Sequence, residues 1–308
     1  MKIVWLDTAS VGDASLSPLT ECGEFTAYEE STAAQALERV ADCEVLITNK
    51  VVVDRALLAA APKLRLVCEA ATGVNNIDLE ACKERGIPVR NVAGYSTESV
   101  VQATFMHLLS LAGNAPYYDN CVKTGTYSSG TLFTNLDRPI TELYGKTLGI
   151  IGMGTIGSRV AAVGEVFGMK IIYFSTSGTG HCKTYPSVPI DELMAVSDVI
   201  SVHAPLNERT RGLVDERRLR LMKPGAYILN AGRGGIIDEA ALARVIDEGA
   251  IGGAGLDVYE KEPLPATSPL LHTRHPELLR FTPHTAWASA EARARLIEKI
   301  AENIKMGY

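Results

Sequence analysis

The segment Gly152-Met153-Gly154-Thr155-Ile156-Gly157 constrains the fold more than any other stretch of the chain. An apolar run over 147–151 leads directly into it, and a helical pattern over 158–167 leaves it. A second apolar run over 170–174 follows at the spacing of one βαβ unit. The three glycines have separate tasks. Gly152 allows a tight turn, Gly154 lets the backbone approach a pyrophosphate, and Gly157 lets the helix pack closely on the strand. The helix N-terminus then offers N–H groups and the positive end of its dipole to phosphate. Gly152, Met153, Gly154, Thr155, Ile156 and Gly157 therefore read as a dinucleotide loop.

The rest of the chain repeats this alternation. Further strands are expected at 3–6, 44–47, 64–68, 88–91, 199–202, 226–230 and 253–256, mostly apolar with few alternating polar positions, as in strands buried on both faces. Helix starts are marked by Thr32 with Gln35, a capping-box pattern, and by Asp238 as an N-cap. Strand–helix alternation predicts an α/β fold with parallel sheets. One series runs to about Asn91 and a second begins near Thr147; a long helix over 98–111 separates them and another over 286–304 closes the chain. No low-complexity linker or solenoid-type repeat interrupts the pattern.

Composition narrows the partners. Of 308 residues, 46% are hydrophobic and 21% charged, the balance of a soluble globular protein. The net charge of -6 argues against nucleic acid, which needs clustered Lys and Arg. The densest basic stretch, Arg217, Arg218, Arg220 and Lys223, follows Asp215 and Glu216 and reads as a solvated helix face. The six cysteines, at 22, 43, 68, 82, 121 and 182, form no Cys-x-x-Cys pair and no metal-ligand spacing. They read as reduced thiols in a cytoplasmic protein without a metal. Asp7 comes too early for a signal peptide's apolar core, and no apolar run approaches the ~20 residues of a membrane helix.

The second strand of the βαβ unit ends unusually. An acid there normally accepts hydrogen bonds from the adenosine ribose. Here Ser175 occupies that place, followed by Thr176, Ser177 and Gly178. Without a carboxylate, a 2′-phosphate is not repelled, and Ser175 and Thr176 offer hydroxyls to it. No arginine stands close in sequence; only His181 and Lys183 do. The expected cofactor is NAD or NADP, with weakened discrimination between them.

Hydride transfer to a 2-keto acid needs a cation for the carboxylate and keto group, an acid for the carbonyl oxygen, and a group that orients the acid. Arg233, in Asn230-Ala231-Gly232-Arg233-Gly234-Gly235, follows an apolar strand. Glu262, in Asp257-Val258-Tyr259-Glu260-Lys261-Glu262-Pro263, follows another, and His284 lies in Phe281-Thr282-Pro283-His284-Thr285-Ala286-Trp287. Strand ends are where open α/β sheets bind ligands. Each residue also has a structural alternative: Arg233 as a surface arginine, Glu262 as one of two glutamates flanking Lys261, His284 as a packed histidine. His107 reads as a core histidine, and His272 and His275 as loop residues.

At these residues the chain resembles the D-isomer-specific 2-hydroxyacid dehydrogenase family over nearly its whole length. The matching segments are 71–78, 91–102, 148–157, 203–206, 230–235, 255–263 and 282–287. The stretch Asn91-Val92-Ala93-Gly94-Tyr95-Ser96-Thr97-Glu98-Ser99-Val100 looks most like the glycerate dehydrogenase and hydroxypyruvate reductase branch. The resemblance implies two doubly wound parallel-sheet domains: a flavodoxin-like substrate domain of residues 1–97 and 285–308, and a Rossmann domain of residues 98–284. It implies His284 as proton donor and acceptor, Glu262 hydrogen-bonded to its imidazole and favouring the protonated form, and Arg233 on the substrate carboxylate and carbonyl. It implies carboxylate binding by backbone N–H groups at Gly73 and Val74, and nicotinamide binding by Asp257 and the backbone near Ala231. His203, Ala204 and Pro205 would line the adenosine side, and Thr104 would lie near the cofactor. Trp287 would cap the substrate or fill a domain contact. The implied substrates are hydroxypyruvate, glyoxylate or D-glycerate, in a homodimer whose interface includes the long helix after Gly94. Ser175 departs from the family's usual acid. A non-enzymatic dinucleotide sensor, similar to the corepressors built on this fold, is the alternative; such proteins can keep the Arg, Glu and His.

Overall fold

Strands that are almost wholly buried have to satisfy their backbone against one another, and every strand pair among the described residues is parallel. The computed structural model describes residues 1–178, 180 and 182–307. The chain divides into two compact units, residues 1–96 with 288–308, and residues 97–287.

The first unit contains β1 (Lys2–Trp5), α1 (Ser17–Thr20), β2 (Glu24–Ala27), α2 (Ala33–Arg39), β3 (Val45–Thr48), α3 (Arg55–Ala60), β4 (Leu66–Glu69), α4 (Leu79–Glu84) and β5 (Val89–Arg90). The sheet order is β2-β1-β3-β4-β5, a doubly wound arrangement that reverses between β1 and β3. Leu6, Leu46, Val67, Leu57 and Leu58 belong to one buried cluster. The Thr32–Gln35 capping box forms as the sequence suggests, with both reciprocal hydrogen bonds present. The C-terminal helix, Ala290–Lys305, buries Leu296, Ile297, Ile300 and Ile304. It starts four residues later than the sequence pattern suggests because Ser289 caps it, accepting from the Ala292 amide at 3.2 Å.

The reversal point of such a sheet is where a ligand usually binds. Here the chain fills it with its own carboxylate. Asp7, just past β1, accepts from the Asn49 amide at 2.9 Å, the Lys50 amide at 2.7 Å and the Val51 amide at 3.0 Å. The Trp5 indole and the Thr48 hydroxyl donate to it as well, at 2.9 and 3.1 Å. These donors would otherwise form an anion nest after β3.

The second unit contains α5 (Thr97–Ala112), α6 (Ala115–Lys123), β6 (Thr147–Ile151), α7 (Thr155–Val166), β7 (Lys170–Phe174), α8 (Ile190–Val196), β8 (Val199–Val202), α9 (Glu216–Leu219), β9 (Tyr227–Asn230), α10 (Glu239–Asp247), β10 (Gly253–Leu256) and β11 (Leu279–Phe281). Its order is β11-β10-β9-β8-β6-β7, so the chain reverses direction across the sheet at β6 and β8. Asp238 caps α10 by accepting from the Ala241 amide at 2.9 Å. The basic stretch after Asp215 is engaged in ion pairs: Arg217 and Arg218 with Asp191, Arg220 with Glu216 and Glu248, and Lys223 with Asp198.

Two strands escape the sequence reading, β2 and β11. Each is an edge strand, and its exposed positions break the apolar run that marks a buried strand. Helix α7 begins at Thr155, three residues before the expected Ser158, because Gly157 is a helical residue and not part of the turn. Among the described residues, no helix is long and apolar enough to cross a membrane, and no cluster of His, Cys, Asp or Glu suits a metal ion.

Glu69, at the end of β4, is fully buried, and Asn76 donates to its Oε2 at 3.1 Å while Oε1 has no partner among the described residues. Burial pushes its carboxyl up to about 8. The folded state then keeps a proton that the unfolded chain releases near 4.5, so this contribution to stability is full below that pH and is lost as pH rises through about 8. Wild type is therefore expected to lose thermal stability between about pH 5 and 8 more steeply than Glu69→Gln. Thermal melts across that range test this; parallel curves for the two proteins contradict it.

Candidate active site

The glycine loop leaves β6 at the reversal point of the six-stranded sheet. The Gly152 amide donates to the Phe174 carbonyl at 3.1 Å on one side, and the His203 amide donates to the Ile151 carbonyl at 2.8 Å on the other. The loop is thus pinned between the ends of β7 and β8. Gly152 has φ +94, and a Cβ there would lie 2.9 Å from the Ala204 amide nitrogen. A Cβ on Gly157 would lie 2.2 Å from the Gly152 carbonyl oxygen, so helix and turn touch only because both residues are glycine. At Gly154 a Cβ would meet nothing within 4 Å. The space above Gly154 is open while the other two glycines are packed, as a cradle for a pyrophosphate requires. Gly154 caps α7 with extended backbone and no side-chain hydrogen bond, leaving the first-turn amides of Thr155 and Ile156 without a side-chain cap. Met153 and Ile156 turn their side chains to the apolar cluster beneath. The residues present fit a dinucleotide.

His203 follows β8. Its Nε2 meets the Ser201 hydroxyl at 2.8 Å, and its Nδ1 is sealed from solvent without a partner among the described residues. Burial pushes it down to about 4, so the ring is neutral at physiological pH. Ala204 is buried and Pro205 exposed. Thr104, on α5, is 2% exposed, and its hydroxyl donates to the Val100 carbonyl at 2.8 Å.

Arg233 sits on the turn after β9. Asn230, 3% exposed, holds that turn from within: its amide donates to the Arg233 carbonyl at 2.9 Å and its side-chain oxygen accepts from the Gly232 amide at 3.0 Å. A Cβ on Gly234 would lie 1.8 Å from the Tyr259 carbonyl oxygen, so the Arg233 turn and the loop after β10 meet backbone to backbone. Within that second loop, the Tyr259 amide donates to Glu262 Oε1 at 3.0 Å. The other oxygen of Glu262, Oε2, lies 2.7 Å from His284 Nδ1. Glu262, and not Glu260, thus meets the imidazole; the Glu260 amide donates to Glu239.

His284 itself has φ 55, a left-handed conformation rare for a residue with a side chain. The cost is of order 1 kcal/mol or more and must be offset by neighbours. Asp257 supplies them. Its carboxylate, 1% exposed, accepts from the Thr285 amide at 2.8 Å, the Ala286 amide at 3.0 Å and the Thr282 hydroxyl at 2.6 Å. The Asp257 carbonyl also accepts from the His284 amide at 2.8 Å. His107 completes the network from α5, its Nε2 donating to the Thr282 hydroxyl at 3.0 Å. It is a core histidine, 3% exposed and held neutral by burial. The Ala286 carbonyl accepts from Ser99 at 2.6 Å. Trp287 follows, half-buried.

The Arg233, Glu262 and His284 segments are therefore joined through direct contacts. Sequence reasoning missed the parts of Asn230 and Arg209. Asn230 carried a signal, an amide directly before a glycine-bearing turn. Arg209 carried none: it lies far along the chain from Ser175, yet its Nη1 comes to 3.5 Å from the Ser177 carbonyl oxygen. Ser175 directly follows Phe174, and its hydroxyl lies 3.1 Å from that of Ser177, with Thr176 half-buried between them. His181 lies outside the described residues. Gly73 and Val74 belong to the other unit, in the loop after β4, where no hydrogen bond engages their amides among the described residues.

Comparison with known proteins agrees with this geometry. Residues 105–286 match the family described as D-isomer specific 2-hydroxyacid dehydrogenase, NAD binding domain. The chain is 36% identical to a glyoxylate reductase of Korarchaeum cryptofilum, covering 96% of this chain and 90% of that one. It is 34% identical to a hydroxypyruvate reductase of Blautia hydrogenotrophica, covering 99% and 96%. The solved structure of an acyclic imino acid reductase in complex with NADPH and D-Arg superposes with a TM-score of 0.88 at 29% identity, covering 99% of this chain and 96% of that chain. With the glycine cradle and the His284–Glu262 pair already in place, these matches settle its class: the chain belongs to the D-isomer specific 2-hydroxyacid dehydrogenase family, oxidoreductases that use a nicotinamide dinucleotide to interconvert 2-keto acids and 2-hydroxy acids.

Proposed function

We propose that the chain reduces a small 2-keto acid, hydroxypyruvate or glyoxylate, to D-glycerate or glycolate, with NAD or NADP as the dinucleotide. The observation that carries this reading is the His284–Glu262 contact of 2.7 Å, built on a left-handed His284. Relatives named glyoxylate reductase and hydroxypyruvate reductase, similar along almost the whole chain, support the substrate class. They lend nothing to a non-enzymatic sensor.

When bound, the nicotinamide supplies the hydride in reduction and accepts it in oxidation. The chain's own residues handle the substrate's charge and proton. Glu262 accepts from Nδ1–H of His284, which fixes the ring and leaves Nε2 to carry the transferred proton. In reduction Nε2 gives that proton to the carbonyl oxygen; in oxidation it takes the hydroxyl proton back. Arg233 binds the carboxylate and carbonyl oxygen; its Nη1 already bonds the Gly232 carbonyl at 2.8 Å, which orients the fork. The Gly73 and Val74 amides, which no hydrogen bond engages among the described residues, are assigned to a carboxylate as the family resemblance implies. The glycine loop, Thr104, Ser175, Thr176 and His203 to Pro205 are assigned to the dinucleotide, Ala231 and Asp257 to its carboxamide, and Trp287 to the substrate.

A cytoplasmic setting is supported by the cysteines: all six are free thiols, and burial pushes Cys43 and Cys68 up to about 12, so neither is a reactive thiolate. A homodimer is supported by apolar side chains that project into solvent in the second unit. Phe133 is 90% exposed, Leu136 77%, Leu132 72% and Ile140 64%, and Met106 on α5 is 51% exposed. Isolated apolar side chains need no explanation, but a run of them marks an interface.

His284→Ala is expected to lower kcat for hydroxypyruvate and glyoxylate by about 10²–10⁴ while fluorescence titration shows NADH binding retained. Undiminished turnover contradicts the assignment. Light scattering of the purified protein should give twice the 33.1 kDa chain mass, and Phe133→Asp with Leu136→Asp should shift it toward monomer; a monomeric wild type contradicts the dimer.

A further inference from the structure

The end of β7 carries a group of residues that the general dinucleotide reading does not use. β7 is an edge strand beside β6, and its last carbonyl, that of Phe174, receives the Gly152 amide at 3.1 Å. Ser175 is therefore the first residue beyond the glycine loop's own anchor. In a Rossmann unit this position faces the adenosine ribose, where a carboxylate selects the free 2′-hydroxyl and a cation accommodates a 2′-phosphate. No acid occurs in the sequence from 175 through 190.

Two hydroxyls and one guanidinium converge there. Ser175 Oγ and Ser177 Oγ are 3.1 Å apart. Arg209 arrives from the loop after β8, its Nη1 3.5 Å from the Ser177 carbonyl oxygen and 3.9 Å from where a Cβ on Gly178 would stand. The base of that arginine is held firmly. Thr210, 1% exposed, donates from its hydroxyl to the Pro205 carbonyl at 2.6 Å and accepts from the Asn207 amide at 2.9 Å. The Arg209 amide donates to the Asn207 side chain at 2.9 Å. The guanidinium, by contrast, makes only its long contact to Ser177 and has no carboxylate partner among the described residues. It is set apart from Arg217, Arg218, Arg220 and Arg244 of the same unit, each of which is paired with an acid. No hydrogen bond engages the Thr176 or Gly178 amide among the described residues.

We propose that Ser175, Ser177 and Arg209 form a site for the 2′-phosphate of the adenosine ribose, so that the enzyme prefers NADP to NAD. The proposal rests on the dinucleotide reading of the glycine loop and deepens it. A phosphate monoester brings close to two negative charges and three acceptor oxygens. Arg209 supplies planar, forked donors of opposite charge, and the serine hydroxyls supply neutral ones. A ribose with a free 2′-hydroxyl finds no carboxylate on the segment from Ser175 through Ile190.

The test separates binding from turnover. Calorimetric titration of the purified protein with 2′,5′-ADP and with 5′-ADP is read beside fluorescence titration with NADPH and NADH. A charge-assisted site should make 2′,5′-ADP at least about tenfold tighter than 5′-ADP, with the same ordering for NADPH over NADH. Arg209→Gln should erase that advantage while changing 5′-ADP and NADH affinity by less than about twofold, and Arg209→Lys should restore part of it. Ser175→Asp should reverse the preference. Equal affinity of the wild type for 2′,5′-ADP and 5′-ADP, with NADH still bound, would overturn the 2′-phosphate site and leave the dinucleotide reading standing. An Arg209→Gln variant that weakens both nucleotides by the same factor would overturn it too, since a merely structural arginine acts that way. Failure of all four nucleotides to bind would overturn the dinucleotide reading and the proposal together.

Discussion

The buried carboxylate of Asp257 is the interaction that holds the loop carrying His284, and the proposed chemistry depends on it. It sits at the end of β10 and collects two amides and one hydroxyl from residues 282–286. Those bonds stabilise a loop in which His284 adopts a left-handed backbone, and that backbone sets Nδ1 against Glu262. A charged acceptor buried at 1% exposure is costly unless its lone pairs are used, and here several donors use them. Asp257 is therefore a positioning residue whatever else it touches. His107 extends the network into α5 through the Thr282 hydroxyl, which explains a buried histidine that takes no direct part in chemistry.

The two sheets show one physical rule used in opposite ways. Both are doubly wound, and each reverses at a point where backbone amides converge beyond the strand ends. In the five-stranded sheet, Asp7 occupies that point and binds the amides of Asn49, Lys50 and Val51. The nest is satisfied internally and stiffens the loop after β3. In the six-stranded sheet the corresponding place belongs to Gly154, with open space above it. One reversal point has been closed by a side chain, and the other has been kept open by the absence of one.

Much of this was legible in the sequence because the relevant spacing is local. The glycine loop, the turn of Arg233 and the capping residues Thr32 and Asp238 are short patterns whose physics needs no knowledge of neighbours. The Glu262–His284 contact was legible only through the family pattern, because it joins the ends of two strands. What stayed hidden depended on sheet order or on burial. β2 and β11 are edge strands and lack the apolar run of a buried one. The sequence pattern ran the C-terminal helix back to residue 286, but Asp257 takes the Thr285 and Ala286 amides for the loop that carries His284. Arg209 approaches Ser177 only because the loops after β7 and β8 meet in space. A search along the sequence near Ser175 finds no arginine, while the fold supplies one.

The central claim is that Glu262 and His284 act as one unit in proton transfer, the glutamate working only through the imidazole. A double-mutant cycle on kcat/KM for hydroxypyruvate reduction, using Glu262→Gln, His284→Gln and the pair together, tests it most directly. The account predicts strong non-additivity: with the imidazole gone, removing the carboxylate costs nothing more, and the double variant matches His284→Gln. Losses that simply multiply would show that Glu262 acts independently of His284 and would contradict the account.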